Sequence, residues 1–268
     1  NTRTLQLSTW DMEQLEVLRG PQSTQSGRNA LAGSVILQSR NPEFFQEYRF
    51  QLGFGSDTTY QGAVVLNTPL VEDRLAFRLS VDRRSSDGFS ENEFGENDSA
   101  GSEDLLTARA SLRFDPSDRL SFNLTYTHID DEYGPNTLLS EFYPDRRAPE
   151  ANVGSLELQS LGLTADYEIN NALSFSSSTI LTDASPNAFT ETATGSINRD
   201  RQYDTFEQEF RLNYDTGNLR AVAGLFYTTI DEDSSSIALF PGLGTSSTFE
   251  DIETENYAVF GEVEYDFA

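Results

Sequence analysis

The chain has 268 residues, enough for one or two domains with a real core, and carries 44 acidic against 18 basic residues, a formal net charge of -26. That balance repels phosphate backbones and argues against a nucleic-acid partner. The absence of cysteine rules out disulfides and thiolate metal sites, and a single histidine, His128, leaves little for imidazole chemistry. No run approaches about 18 consecutive apolar residues and no basic-apolar leader opens the chain, so neither a spanning helix nor a signal peptide is read from it. Asn1 stands where an initiator methionine would, which is expected of an internal fragment. High charge with low hydropathy is also the mark of disorder. Against that, Phe and Tyr recur at alternate positions in segment after segment, a spacing that a solvated random chain has no reason to keep.

Asp11 is expected to cap a short helical turn through Gln14, after which Leu15 to Arg19 alternates like a strand and stops at the turn dipeptide Gly20-Pro21. Gly27 and Gly33 punctuate a small-residue segment in which positive φ and close backbone contact are available. Ser34 to Ser39 resumes a strand, closed by Asn41-Pro42.

From Glu47 onward the period is two. Strands are read over Arg49 to Gly55, Tyr60 to Leu70 and Leu75 to Asp82; in the last, Leu75, Phe77, Leu79 and Val81 oppose Ala76, Arg78, Ser80 and Asp82. Ala108 to Phe114 opposes Thr107 to Arg113 in the same manner, and Leu120, Phe122, Leu124 and Tyr126 oppose Ser121 to Thr127. Leu161 to Ile169, the serine-rich Leu173 to Thr182, Phe206 to Tyr214, Leu219 to Thr229 and Tyr257 to Phe267 bring the count to roughly ten.

The links alternate in kind. Val71 to Arg74, Asp115 to Asp118, Asn170-Asn171 and Asp215 to Asn218 are short; Ser86 to Glu103, Glu132 to Ser155, Ser185 to Thr205 and Asp233 to Ile252 are read as long polar loops. Ser56 to Thr59 is short although it falls on the long side. Short turns at one end, long loops at the other and one apolar face per strand make an outer-membrane β-barrel pattern, with apolar side chains outward to lipid and polar ones inward. Phe114, Tyr126, Tyr167, Tyr214, Tyr227 and Phe267 fit aromatic girdles. The fold class is therefore all-β, a partial transmembrane antiparallel barrel.

Leu15-Glu-Val-Leu-Arg-Gly-Pro21, Gly27-Arg-Asn-Ala30, Gly33 and the strand ending Arg40-Asn-Pro42 together resemble the end of the plug domain of TonB-dependent outer-membrane receptors. The strands Phe206 to Tyr214, Ala221 to Asp231 and Tyr257 to Phe267 resemble that family's barrel. The chain departs from the pattern at Ser23, Ser26 and Gln38. The resemblance implies that residues 1–42 are the C-terminal part of a plug and residues 43–268 the first part of a barrel, about ten of roughly 22 strands. It implies a transport protein of the Gram-negative cell outer membrane, without cofactor or catalysis, that takes up a scarce ligand, a ferric siderophore or other iron chelate. Vitamin B12 or an oligosaccharide is the alternative within the family, and a passive porin or adhesion barrel the alternative outside it. The implied partners are outer-membrane lipid and lipopolysaccharide, the TonB complex of the inner membrane, and the ligand.

In this family buried charges lock plug to barrel. Arg19 matches a plug arginine of that kind, with Glu209 and Glu262 as inward partners by strand parity. Gly20, Gly27 and Gly33 would shape the plug turn. The acidic stretch Asp87, Glu91, Glu93, Glu96, Asp98, Glu103 and Asp104 lacks the spacing of a calcium loop, so no metal site is assigned. No P-loop, dinucleotide fingerprint or nucleophile elbow is present.

Overall fold

The computed structural model describes residues 8–20, 33–88, 91–92, 101–134, 147–148, 151–192 and 194–267. The strands are β1 (Met12–Arg19), β2 (Gly33–Ser39), β3 (Glu47–Gly55), β4 (Thr59–Val71), β5 (Leu75–Ser86), β6 (Glu91–Asn92) and β7 (Glu103–Ser117). They continue with β8 (Leu120–Tyr133), β9 (Arg147–Ala148), β10 (Ala151–Asn170), β11 (Leu173–Thr192), β12 (Gly195–Asp215), β13 (Leu219–Phe240) and β14 (Gly244–Tyr265). β1 and β2 form a two-stranded antiparallel sheet, and β6 pairs with β9 in parallel. The other ten strands make one sheet in the order β3-β4-β5-β7-β8-β10-β11-β12-β13-β14, antiparallel throughout, with β3 and β14 as its open edges.

The burial pattern is inverted relative to a water-soluble sheet. On the inner face Arg78, Ser80, Asp82, Thr107, Arg109 and Ser111 are buried, while on the outer face Leu163, Leu212 and Leu225 are exposed. Lipid as the outer solvent explains this, since it rewards apolar contact and leaves the polar face to the interior. Two aromatic rows bound the apolar band. Phe114 stacks with Phe122 and Phe175 with Phe210 near the short turns, while Tyr227 packs against Phe206 and, at 4.6 Å, against Tyr257 near the other end. Phe206 and Tyr214 lie eight residues apart on β12, about 27 Å along a strand and roughly 20 Å along the normal at a ~40° tilt.

Three sequence expectations are corrected. The Asp11 to Gln14 helical turn is a tight turn leading into β1, with Asp11 at φ 60° and the Met12 N–H donating to the Thr9 carbonyl at 3.3 Å. The loops expected at Ser185 to Thr205 and Asp233 to Ile252 are strand: β11 runs into β12 across a turn beside Thr192 and Gly195, and β13 into β14 across one beside Phe240 and Gly244. These hairpins continue past the upper aromatic row, where both faces meet water. Apolar alternation is not required there, and the backbone ladder alone holds the pairing. Third, Asp115 to Ser117 belong to β7, so that turn is tighter than the sequence suggested.

Candidate functional site: the first segment against the inner wall

Residues Ser8 to Met12 lie on the inner face of the sheet and touch four of its strands. The centre is Asp11, whose side chain is 3% exposed. Its Oδ2 accepts from Arg78 Nε at 2.7 Å, and its Oδ1 accepts from Arg78 Nη2 and from Arg49 Nη2. Arg78, only 2% exposed, also donates through Nη1 to Glu47 at 3.0 Å, and Glu47 in turn pairs with Arg49 Nε at 2.8 Å. Two arginines and two carboxylates thus close a ring whose formal charges cancel. A fork-shaped guanidinium held bidentately by a carboxylate is the strongest geometry available to such a pair.

Trp10 lies under the same roof. The Arg49 guanidinium sits 5.3 Å from its ring centre, and its indole N–H points to the Val64 carbonyl at 3.4 Å. The Trp10 carbonyl accepts from Arg109 Nη2 at 2.6 Å, and Met12 Sδ from Arg109 Nη1 at 3.3 Å. Ser8 donates to Asp82 at 2.6 Å, and Asp82 also accepts from Gln61. The return from β2 is fixed as well. The Arg40 N–H donates to the Asp11 carbonyl, and fully buried Asn67 accepts from the Glu43 N–H and donates to the Glu43 carbonyl at 2.9 Å.

The sequence fold makes this possible through parity. Arg78, Asp82 and Arg109 occupy the positions opposite the apolar face of their strands, so a two-residue period places all three on the inner wall. Asp11 tolerates the left-handed conformation that aims its carboxylate at them better than most side chains would.

Of the residues singled out from sequence, Arg19 is exposed at the end of β1. Among the described residues no ion pair joins it to Glu209 or Glu262. Glu209 is paired with Arg211 at 2.8 Å, and Glu262 lines an open hollow with Arg211, Asn213 and Arg220. Gly20 has φ 89° and Gly33 φ 132°, and a Cβ on Gly33 would collide with the Leu18 carbonyl across the hairpin. Gly27, Glu93, Glu96 and Asp98 lie outside the described residues. Glu103 and Asp104 pair with Arg84 and Arg83, and among the described residues no group of three or more His, Asp or Glu is placed to hold a metal ion. The Asp11 ring was missed by sequence reasoning. Its signal was present in the inward arginines Arg78 and Arg109, which had no named partner.

No family model matches the chain. Known proteins do. The ferrioxamine receptor of Yersinia enterocolitica is 31% identical over 121 residues, 42% of this chain and 17% of that protein. A probable TonB-dependent receptor, BfrD, of Bordetella pertussis is 36% identical over 73 residues, 27% of this chain and 10% of that protein. The chain thus spans less than a fifth of the length of these relatives. In fold it is similar to the ferric yersiniabactin uptake receptor FyuA of Yersinia pestis, with a TM-score of 0.81 at 15% identity over 94% of this chain and 48% of that one. A sheet turned inside out for lipid, a first segment bound to its polar face, and sequence likeness to such receptors agree with one another. In sequence and in fold, the chain is similar to part of the TonB-dependent outer-membrane receptors.

Proposed function

We propose that this chain is the plug end, residues 1–42, and the barrel start, residues 43–268, of a receptor that takes up a scarce ligand across the outer membrane. The ligand class is a ferric siderophore or similar iron chelate, and TonB at the inner membrane supplies the work. The observation that carries this reading is the Asp11–Arg78–Glu47–Arg49 ring, which fastens a segment outside the sheet to the sheet's polar wall. A passive pore has no use for such a fastening. A gated one needs a contact that is strong at rest and lost as a unit under pull, because removing one partner strands a buried charge. The relatives' roles as ferrioxamine and yersiniabactin receptors support the ligand class. The outward apolar band supports contact with outer-membrane lipid and lipopolysaccharide, and the mechanism is binding and gating without covalent chemistry. A second fastening, Arg19 to Glu209 or Glu262, is proposed for the energised or complete plug.

The test is growth under iron limitation with ferric hydroxamate as sole iron source, comparing the parent strain, one lacking this receptor, and one lacking TonB. Growth restored only when both are present is expected. Equal growth without TonB would overturn the gating reading.

A further inference from the structure

Met12, the only methionine in the chain, is the first residue of β1, and its thioether accepts from Arg109 Nη1 at 3.3 Å. A thioether is a weak acceptor. Arg109 itself is 7% exposed, and although its Nη2 serves the Trp10 carbonyl, its buried Nε–H has no partner among the described residues. The guanidinium therefore presents to the sulfur one underused donor, Nη1. Met12 is half-buried and lines a polar hollow of about 690 Å³ together with Asp11, Arg49 and Asp82, so a small polar oxidant has a route to it.

We propose that Met12 is an oxidation site, and that its sulfoxide tightens the hold of the Ser8–Met12 segment on the inner wall. Hydrogen peroxide is the oxidant. The sulfur lone pair attacks one peroxide oxygen, the S–O bond forms as the O–O bond breaks, and the departing hydroxide takes the proton from the transferred oxygen and leaves as water. The sulfur loses two electrons and the peroxide gains them. In an apolar core such a change loosens packing by burying a new polar group. Here the sign reverses, because the facing group is a cation whose Nη1 donor is met only by a weak thioether acceptor. The sulfoxide oxygen accepts from Arg109 in a charge-assisted hydrogen bond that the thioether cannot match. If the uptake reading above holds, oxidation slows release of this segment and so throttles entry of iron while peroxide is present.

The experiment uses the full natural chain in outer-membrane vesicles, treated with hydrogen peroxide. Peptide mass reads the oxygen gained at Met12, and backbone hydrogen exchange reads the segment Trp10 to Leu15. Exchange in the oxidised protein is expected to slow by about three- to tenfold. Met12→Gln, whose carboxamide oxygen is a comparable acceptor, is expected to show the slow exchange without peroxide, and Met12→Leu no response to it. The proposal fails if Met12 stays reduced at a peroxide dose that oxidises a free methionyl peptide. It also fails if the sulfoxide leaves exchange unchanged or faster, or if Met12→Leu slows as the parent does. Because exchange is measured without ligand or TonB, failure here is separate from failure of the uptake reading.

Discussion

On β3 to β7 the inner-wall arginines Arg49, Arg78 and Arg109 reach across to a different part of the chain. On β12 to β14 the arginines stay at home: Arg211 pairs with Glu209 on its own strand, and Arg220 with Glu264 on the next strand and Asp266 just beyond it. The residue types and the face are the same, and solvent makes the difference. Arg78 is 2% exposed against 50% for Arg220. Water replaces a partner lost from an exposed pair, so such pairs contribute about 0–1 kcal/mol. Nothing replaces a partner lost from Asp11 or Arg78, whose side chains are 3% and 2% exposed, so their pair is a fastening while the Arg220 pairs are solvated.

The sharpest break of this contrast is Asp11→Ala, which leaves Arg78 and Arg49 facing each other with only Glu47 between them. Local opening of the Ser8–Met12 segment should become easier by roughly 3–5 kcal/mol, read as lost exchange protection at Trp10 and Met12 in the membrane-embedded protein. Protection equal to the parent's would mean that the ring does not hold the segment.

A smaller effect is expected on the β11–β14 side, above the upper aromatic row. Asp183, Asp204, Asp231 and Glu253 occupy directly paired outward positions on four successive strands. Desolvation, and then the neighbouring carboxylates Asp183, Asp231 and Asp233, hold Asp204 above the usual carboxylate range. The folded hairpin therefore binds a proton more readily than the unfolded chain. Its stability rises as pH falls through that raised range and is lower at higher pH, where Asp204 is charged. Exchange in the β11–β12 hairpin, corrected for intrinsic rate, should slow as pH is lowered from neutral toward the ordinary carboxylate range. Asp204→Asn should flatten that dependence, and an unchanged profile would show that the row is fully screened.

The smallest effect belongs to Arg19→Glu. With Arg19 exposed, retention of the segment at rest should weaken by no more than about 1 kcal/mol, far below the Asp11→Ala effect in the same exchange assay. A loss as large as that of Asp11→Ala would show that Arg19 reaches Glu209 or Glu262 and that a second fastening acts at rest.

What the sequence determined by itself was period and parity. Alternation from Glu47 onward placed the ten strands, sorted Arg78, Asp82 and Arg109 to one face and Leu79, Leu163 and Leu225 to the other, and marked the short turns, because a strand's side chains alternate whatever it packs against. The hairpin extensions of β11 to β14 were not legible, since above the apolar band no solvent contrast imprints a pattern on the residues. Nor was the choice of partner. The sequence pointed to Arg19 with Glu209 and Glu262 for a lock and to Asp11 only as a cap, because local sequence does not reveal a pair separated by 67 residues. Only the tertiary structure decided which carboxylate is carried beneath the sheet's inner wall and shielded from water, because the strength of a charge pair is set by its surroundings, which belong to the whole fold.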